Sequence, residues 1–250
     1  MSRSLLVLVP PSEGKVVGGT HERQRGCFDD VLYGARCEVR DAVRSLLAGA
    51  SSRELERVLH VRGTLLDRAW VAMADAVADA GPSMPVWQRY SGVVWAHLEP
   101  ATLHANARRR LLVPSGLYGL NAGNDHIADY RLKMSVNLTS VGRLADFWRS
   151  WISSTLVEHV KGRTVVNLLP REHAASVDFV SMSRHCDLRH VEFRLRHDTA
   201  AIGHDAKAVK GRFARHALVS GVDGLEEFTW RDWRVVPSAQ GAGHLTIERA

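Results

Sequence analysis

The chain has 250 residues, 45% of them hydrophobic, enough to bury a full core without disulfides or a structural metal. A formal net charge of +6 and a pI near 9.6 favour a polyanionic partner: nucleic acid, a nucleotide or a phosphorylated metabolite. The three cysteines, Cys27, Cys37 and Cys186, are odd in number and show no CxxC spacing, which argues for a reducing compartment and against a structural zinc site.

The chain opens on an apolar strand, Leu5-Leu6-Val7-Leu8-Val9, ended by Pro10 and Pro11. It is too short for a membrane span and lacks a small-residue cleavage site, so a soluble, cytoplasmic protein is expected. A charged, glycine-rich loop from Glu13 to Cys27 follows, and then a helix over 29–47. Ser51 with Glu54 reads as a capping box opening a short helix to about His60. Val61-Arg62-Gly63 turns the chain, and Thr64 is expected to cap a third helix to about Asp79, ended by Gly81-Pro82.

Residues 87–95 read as extended, Leu111-Leu112-Val113 as a buried strand, 115–125 as a turn-rich loop and 130–138 as extended again. Leu144, Phe147, Trp148, Trp151, Ile152 and Leu156 follow helical spacing and predict an amphipathic helix with an aromatic, core-facing side. A buried strand over 165–169 leads to a short helix from Pro170, and Val191, Phe193 and Leu195 alternate with charges as a half-buried strand. A basic helix over 205–218 and strands near 228–235 and 244–248 complete the chain. Strands and helices interleave without Gly/Ser linkers or repeats. The expected fold is therefore a single α+β domain over residues 1–250, with a mixed β-sheet, flanking helices and the helical pair 51–79 as an insertion.

Only five of the 33 basic residues are lysines: Lys15, Lys133, Lys161, Lys207 and Lys210. Arginine is a planar fork that stays protonated, whereas lysine is a compact point charge whose pKa shifts readily. A lysine kept in an arginine-rich chain points to a site that needs an ammonium or a tunable amine. Four of the five lie in distinctive segments; Lys161, beside Gly162 in a turn, reads as solvated.

Loops at the carboxyl ends of strands often converge on one cleft. Convergence of 10–15, 115–131, 167–173 and the approach to 207–215 would gather Lys15, Arg131, Lys133, Arg171, Lys207, Lys210 and Arg215, with Glu13, Asp129, Glu172, Tyr118 and Tyr130 among them. That is an anion-binding set with acid/base candidates. The phosphate-loop, dinucleotide, HExxH and GxSxG patterns are absent, no metal or cofactor is expected, and the sequence leaves the oligomeric state open.

The ordered blocks Pro11-Ser12-Glu13-Gly14-Lys15, Arg89-Tyr90-Ser91-Gly92-Val93-Val94, Ser115-Gly116-Leu117-Tyr118-Gly119, Asp129-Tyr130-Arg131-Leu132-Lys133-Met134, Leu144-Ala145-Asp146-Phe147-Trp148, Val166-Asn167-Leu168-Leu169 and Lys207-x-x-Lys210-Gly211 with Arg215 resemble the YaaA peroxide-stress protein family over residues 5–235. The resemblance implies a positively charged cleft, an embedded helix-hairpin-helix and double-stranded DNA binding. It also implies a role in surviving hydrogen peroxide, partly by limiting free intracellular iron. The helix-hairpin-helix corresponds to 51–70, with Arg62, Gly63 and Thr64 at the hairpin. A glycine there lets backbone N–H groups and a helix N-terminus approach a phosphate. Arg89 and Tyr118, within the matching blocks, join the anion-binding candidates.

The chain departs from the family pattern at Asn121-Ala122-Gly123-Asn124-Asp125, where an Arg-Pro pair and an apolar tract are usual, and at Lys210-Gly211, where Arg-Gly is usual. The first departure removes a cleft cation. A second reading is therefore an enzyme acting on an anionic small molecule, such as a metabolite-tailoring enzyme. In it Lys15 or Lys207 serves as charge clamp or nucleophile, Tyr130 or Glu172 as proton donor, and Glu13 as a further acid/base group.

Overall fold

A computed structural model describes residues 4–22, 24–195, 199–200, 203–241 and 243–249. The first strand, β1 (Leu5–Leu8), is apolar throughout and wholly buried, as a strand covered on both faces must be. It is the centre of the architecture. Helices α1 (Asp29–Gly49), α2 (Ser52–Leu59) and α3 (Thr64–Ala78) follow.

Residues 86–98 then form two short helices, Val86–Arg89 and α4 (Val93–Leu98), where an extended segment was expected. The strands β2 (Leu111–Ser115) and β3 (Gly119–Ala122) make a tight hairpin, and α5 (Leu144–Val160) precedes β4 (Thr164–Asn167). After β5 (Asp187–Leu195) come the short β6 (Thr199–Ala200), α6 (His204–Ser220), β7 (Thr229–Trp230), β8 (Trp233–Val236) and β9 (His244–Arg249).

The sheet order is β7-β8-β9-β5-β4-β1-β2-β3, with β6 added to β5, and it is mixed, as the α+β expectation required. β2, β1, β4, β5 and β9 run parallel to one another, while β3, β6, β7 and β8 pair antiparallel. One register row reads Leu8, Asn167, His190, His244 across four strands. Because β1, β2 and β4 are parallel, residues 9–15, 116–118 and 168–173 all leave from one edge of the sheet. That geometry positions the site.

α1 packs on α3, α5 and β3, and α6 packs on β1 and α4. The α6–α4 contact is close: a Cβ at Gly211 would stand 2.3 Å from the Val94 carbonyl oxygen, so only glycine fits. One continuous core joins these elements.

Four local expectations are corrected. Trp87–Trp95 is not extended: Pro85 and Gly92 occupy the N-cap positions of the two short helices, and the Trp95 indole donates to the Pro10 carbonyl at 3.1 Å. Residues 130–138 pair in a ladder only at Asn137–Leu138, against Gly142–Arg143; the rest is turn and irregular chain held by side chains. The loop expected at 115–125 contains β3, whose four residues are all buried. Thr64 does not cap α3: Gly63, at φ +57°, occupies the cap position and no side chain caps it. In α5 the helical stripe is as expected for Leu144, Trp148, Ile152 and Leu156, but Trp151 is 37% exposed, outside the core.

Candidate functional site

Lys15 follows β1 by a short loop and is fixed by an isolated bridge to Tyr90, where Ser91 N donates to the Gly14 carbonyl and Val16 N to the Arg89 carbonyl. Its ammonium donates to the Ser12 carbonyl at 2.9 Å and lies 4.3 Å from the centre of the Tyr130 ring and 5.4 Å from that of Tyr90. A cation over an aromatic face is stabilised by the ring quadrupole. Burial nevertheless wins, pulling the amine down to about 8, against the opposing pull of Asp129 and with Arg131 adding to the fall.

Beneath the amine runs a hydroxyl network. Ser115 Oγ donates to the Tyr130 hydroxyl at 2.8 Å, the Tyr130 and Tyr90 hydroxyls share a hydrogen bond of 2.7 Å, and Tyr118 N donates to Ser115 Oγ at 3.1 Å. Burial raises the Tyr130 phenol to about 12 and also raises Tyr90. Tyr130 thus presents its ring to Lys15 and turns its hydroxyl to Tyr90 and Ser115. The geometry makes it a platform rather than the proton donor expected from the sequence.

Glu13 is held from the second loop: Lys133 Nζ reaches Oε1 at 2.7 Å and an Arg131 nitrogen lies 3.6 Å from Oε2. The hydrogen bond from Lys133 lowers the Glu13 carboxyl below its ordinary value, with Arg131 and His60 contributing. The third loop closes the recess: Glu172 Oε1 accepts from Ser135 N at 3.3 Å and from Ser135 Oγ at 2.9 Å. Loops after β1, β2 and β4 meet here because Gly116 admits the chain at 132–133; a Cβ there would be 2.5 Å from the Leu132 carbonyl oxygen. Glu13, Lys15, Tyr130, Arg131, Lys133 and Glu172 therefore line one small recess together with His173.

Other expected site residues lie elsewhere or face inward. Arg89 is fully buried, its guanidinium donating to the carbonyls of Val16, Gly18 (2.9 Å), Pro82 (2.9 Å) and Ile127 (3.2 Å). With its donors taken by backbone, it is a staple between chain segments and not an anion contact. Tyr118 is buried, and its hydroxyl accepts from Ala128 N at 3.1 Å. Arg215 bonds Glu99 O at 3.2 Å and Thr102 Oγ1 at 2.6 Å, tying α6 to the turn after α4.

Arg171 and Lys207 are exposed, on the short helix after β4 and in the first turn of α6. Lys210 lies 5.6 Å from the Phe193 ring centre, and burial, with repulsion from Lys207, brings it down to about 8. The half-buried His173 is lowered by burial, with Glu172 opposing the fall and Lys210 adding to it.

Arg62, Gly63 and Thr64 sit where α2 passes to α3, with His60 in a left-handed conformation. Space around the Gly63 Cβ position is open. Arg131 ties this pair to the recess: its Nε donates to the Leu59 carbonyl at 3.2 Å and its backbone N contacts Met73 Sδ at 3.0 Å. Sequence reasoning missed a second polar cavity of about 340 Å³ between α1 and β3, lined by Asn121 and Asp125 among others. These are the residues that depart from the family pattern, and burial raises the Asp125 carboxyl. Among the described residues no cluster of His, Cys, Asp and Glu is arranged to hold a metal, and no helix is long and apolar enough to cross a membrane.

A family described as "Peroxide stress protein YaaA" matches residues 5–239, nearly the whole chain. The chain belongs to the YaaA peroxide-stress protein family. Similar proteins include a UPF0246 protein of Streptomyces coelicolor, 31% identical over 87% of this chain and 84% of the relative. A UPF0246 protein of Corynebacterium glutamicum is 30% identical over 62% of each chain, and one from Phocaeicola vulgatus is 23% identical over 78% of this chain and 80% of the relative. The ordered blocks were the right signal for the family.

Proposed function

We propose that this YaaA-family protein acts in peroxide stress by binding double-stranded DNA through its phosphates, using the α2–α3 pair and the strand-end recess as one surface. The observation that carries this reading is the position of Arg131. It lines the open recess of about 1140 Å³ that holds Arg53, Arg57, His60 and Arg62, and it also lines the small recess of Lys15 and Lys133. The α3 N-terminus, capped by Gly63 with no side chain across it, supports the reading because it offers backbone N–H groups and a positive helix end to a phosphate. Such contacts are blind to base sequence and release condensed counterions.

The test is fluorescence anisotropy with duplexes of unrelated sequence. Affinity is expected to be alike for all of them and to fall steeply between roughly 50 and 200 mM salt. Replacing Arg62 with Ala should weaken binding while the melting temperature stays put; Gly63 is left in place because its φ of +57° strains any other residue. No binding at low salt, or tight binding indifferent to salt, overturns the proposal.

A specific observation favours a second reading, amine chemistry on an anionic small molecule. Lys15 is desolvated on an aromatic platform, while the nearby Glu13 carboxylate is held by Lys133. A lysine brought near neutrality by burial is a usable nucleophile.

A further inference from the structure

Lys15 lines a second cavity beside the small recess, of about 220 Å³, between the loop after β1 and α3. Its polar wall holds Glu13, Lys15, Asp129, Arg131 and Arg68; its apolar wall comes from α3, with Leu65, Ala69 and Ala72. Three features of this arrangement belong together. Among the described residues the amine is anchored by the Ser12 carbonyl and by π faces and by no ion pair, so loss of its proton breaks none there. Asp129 lines the same cavity as Lys15, so the cavity itself supplies a carboxylate to move a proton. Arg131 is held by the Leu59 carbonyl through Nε and lies 3.6 Å from Glu13 through one terminal nitrogen, which leaves donors for an anion.

We infer that Lys15 captures a small carbonyl compound carrying a carboxylate or phosphate, forming an imine with its anionic group on Arg131. The inference rests on the second reading above, amine chemistry at Lys15, and names its substrate class. In the step, the neutral Nζ attacks the carbonyl carbon, forming a C–N bond while the carbonyl electron pair moves to oxygen. The resulting carbinolamine loses that oxygen as water, leaving a C=N bond. Asp129 carries one nitrogen proton to the alkoxide, giving the carbinolamine, and then the second nitrogen proton to the hydroxyl as it leaves, so both protons of the water come from Nζ and no oxidant or reductant enters.

The groups facing Lys15 set when the amine is neutral. Desolvation and the cations Arg131 and Arg89 favour the free base, while Asp129 and Glu13 favour the ammonium. Tyr90 and Tyr130, both raised by burial, remain neutral phenols near pH 8. The free base is therefore populated near pH 8, where an ordinary lysine amine is almost wholly protonated.

The experiment treats the full chain with glyoxylate and sodium cyanoborohydride near pH 8, with peptide mass spectrometry reading carboxymethylation at each of the five lysines. Lys15 is expected to be labelled about tenfold faster than Lys133, Lys161 or Lys207; Lys210, also brought down to about 8, is set apart because only Lys15 shares a cavity with Arg131 and should saturate in glyoxylate. Acetaldehyde, which has no anionic group, should show less preference for Lys15. Arg131→Gln should erase the advantage of glyoxylate over acetaldehyde at Lys15, and far-ultraviolet dichroism checks that the variant is folded. Lys15→Arg and Lys15→Met should each remove the fast phase.

Equal labelling across the lysines, or glyoxylate no better than acetaldehyde in the unmodified protein, overturns the inference. Acetic anhydride separates the two levels of the claim. Acylation of Lys15 with a half-maximum near pH 8 but no selective glyoxylate capture ends the imine proposal and leaves the reactive amine. Resistance to both reagents ends both.

Discussion

The strand-end recess and the α2–α3 pair both gather arginine, lysine and carboxylate side chains, but on different kinds of framework. In the recess each charged group is fixed by a partner: Glu13 by Lys133 and Glu172 by Ser135 from another loop, and Lys15 by Ser12 of its own loop and the rings of Tyr130 and Tyr90. On the helical pair the charges stand mainly at the surface, and the ion pair between neighbours there, Arg57 to Glu54, is 3.8 Å long with both side chains well exposed. Buried and cross-braced charges hold geometry and shift pKa values, while exposed ones set long-range attraction and are screened by salt. The recess therefore suits the proposed amine chemistry on one small group, and the helical pair the proposed contact with an extended polyanion. Their junction is Arg131.

The largest expected effect separates framework from site. Arg89→Leu removes a guanidinium that serves four backbone carbonyls, and buried acceptors without partners cost about 1–3 kcal/mol each. Denaturant unfolding should show a loss of ~4 kcal/mol or more. A loss below about 1 kcal/mol would mean that Arg89 is not the brace between 16–18 and 127, and would return it to the anion-binding candidates.

Arg89 also shows why part of the site was illegible in the sequence. An arginine in an apolar-aromatic segment reads the same whether its fork meets a phosphate or a set of carbonyls; only tertiary structure assigns it. The extended reading of 87–95 failed for a related reason. Helices of four and six residues are shorter than the window in which 3.6-residue periodicity is visible, and Trp87, Tyr90, Val93 and Trp95 favour strands on propensity alone.

β3 was hidden because Gly119-Leu120-Asn121-Ala122 has turn composition, and its pairing with β2 supplies the missing preference. By contrast β1, β4 and α5 were legible, since a continuous apolar run or an apolar stripe leaves few alternatives. The convergence of three loops followed from parallel pairing, which is a property of topology rather than of any one motif. The fourth segment was expected to converge as well, but Lys207, Lys210 and Arg215 do not line the recess, a placement of α6 that the spacing did not assign.

The next prediction sharpens the contrast in burial. Folding lowers the Lys15 pKa to about 8 from an unfolded value near 10.4, so between those values the unfolded chain binds more protons and stability rises with pH. The cost of the buried ammonium is fully present below pH 8 and is lost as the amine deprotonates in both states. Lys210 acts in the same direction, so the readout is the difference between the unmodified chain and Lys15→Met. The variant should be more stable by ~2 kcal/mol near pH 7, below the ~3 kcal/mol that full burial would give, and the gap should close toward pH 10. A gap independent of pH would place the Lys15 ammonium in water.

On the exposed side, effects should be electrostatic and small. Arg62→Ala should weaken DNA binding by a similar factor for every duplex and reduce the slope of log affinity against log salt by about 1, the signature of one lost phosphate contact. It should leave Lys15 labelling untouched. A change in sequence preference instead would mean that Arg62 reads a base edge, and the division between phosphate surface and chemical recess would need redrawing.

The smallest expected effect tests whether the two regions are separable at all. Ser51 Oγ accepts from Glu54 N at 3.3 Å at the start of α2, an exposed bond of modest geometry. Ser51→Ala removes that cap, and N-cap losses are about 0.5–2 kcal/mol, with a long exposed bond at the low end. The expected loss is ~0.5 kcal/mol, seen as faster amide exchange over 52–55. Leu55, Val58 and Leu59 remain buried in this variant, so α2 keeps its seat, and Arg131 keeps the Leu59 carbonyl. DNA affinity should fall slightly while the pH profile of Lys15 stays fixed. If the Lys15 profile moves with this distant cap, strain at α2 is reaching the amine through Leu59 and Arg131, and the recess and the helical pair would then act as one coupled unit instead of two neighbouring surfaces.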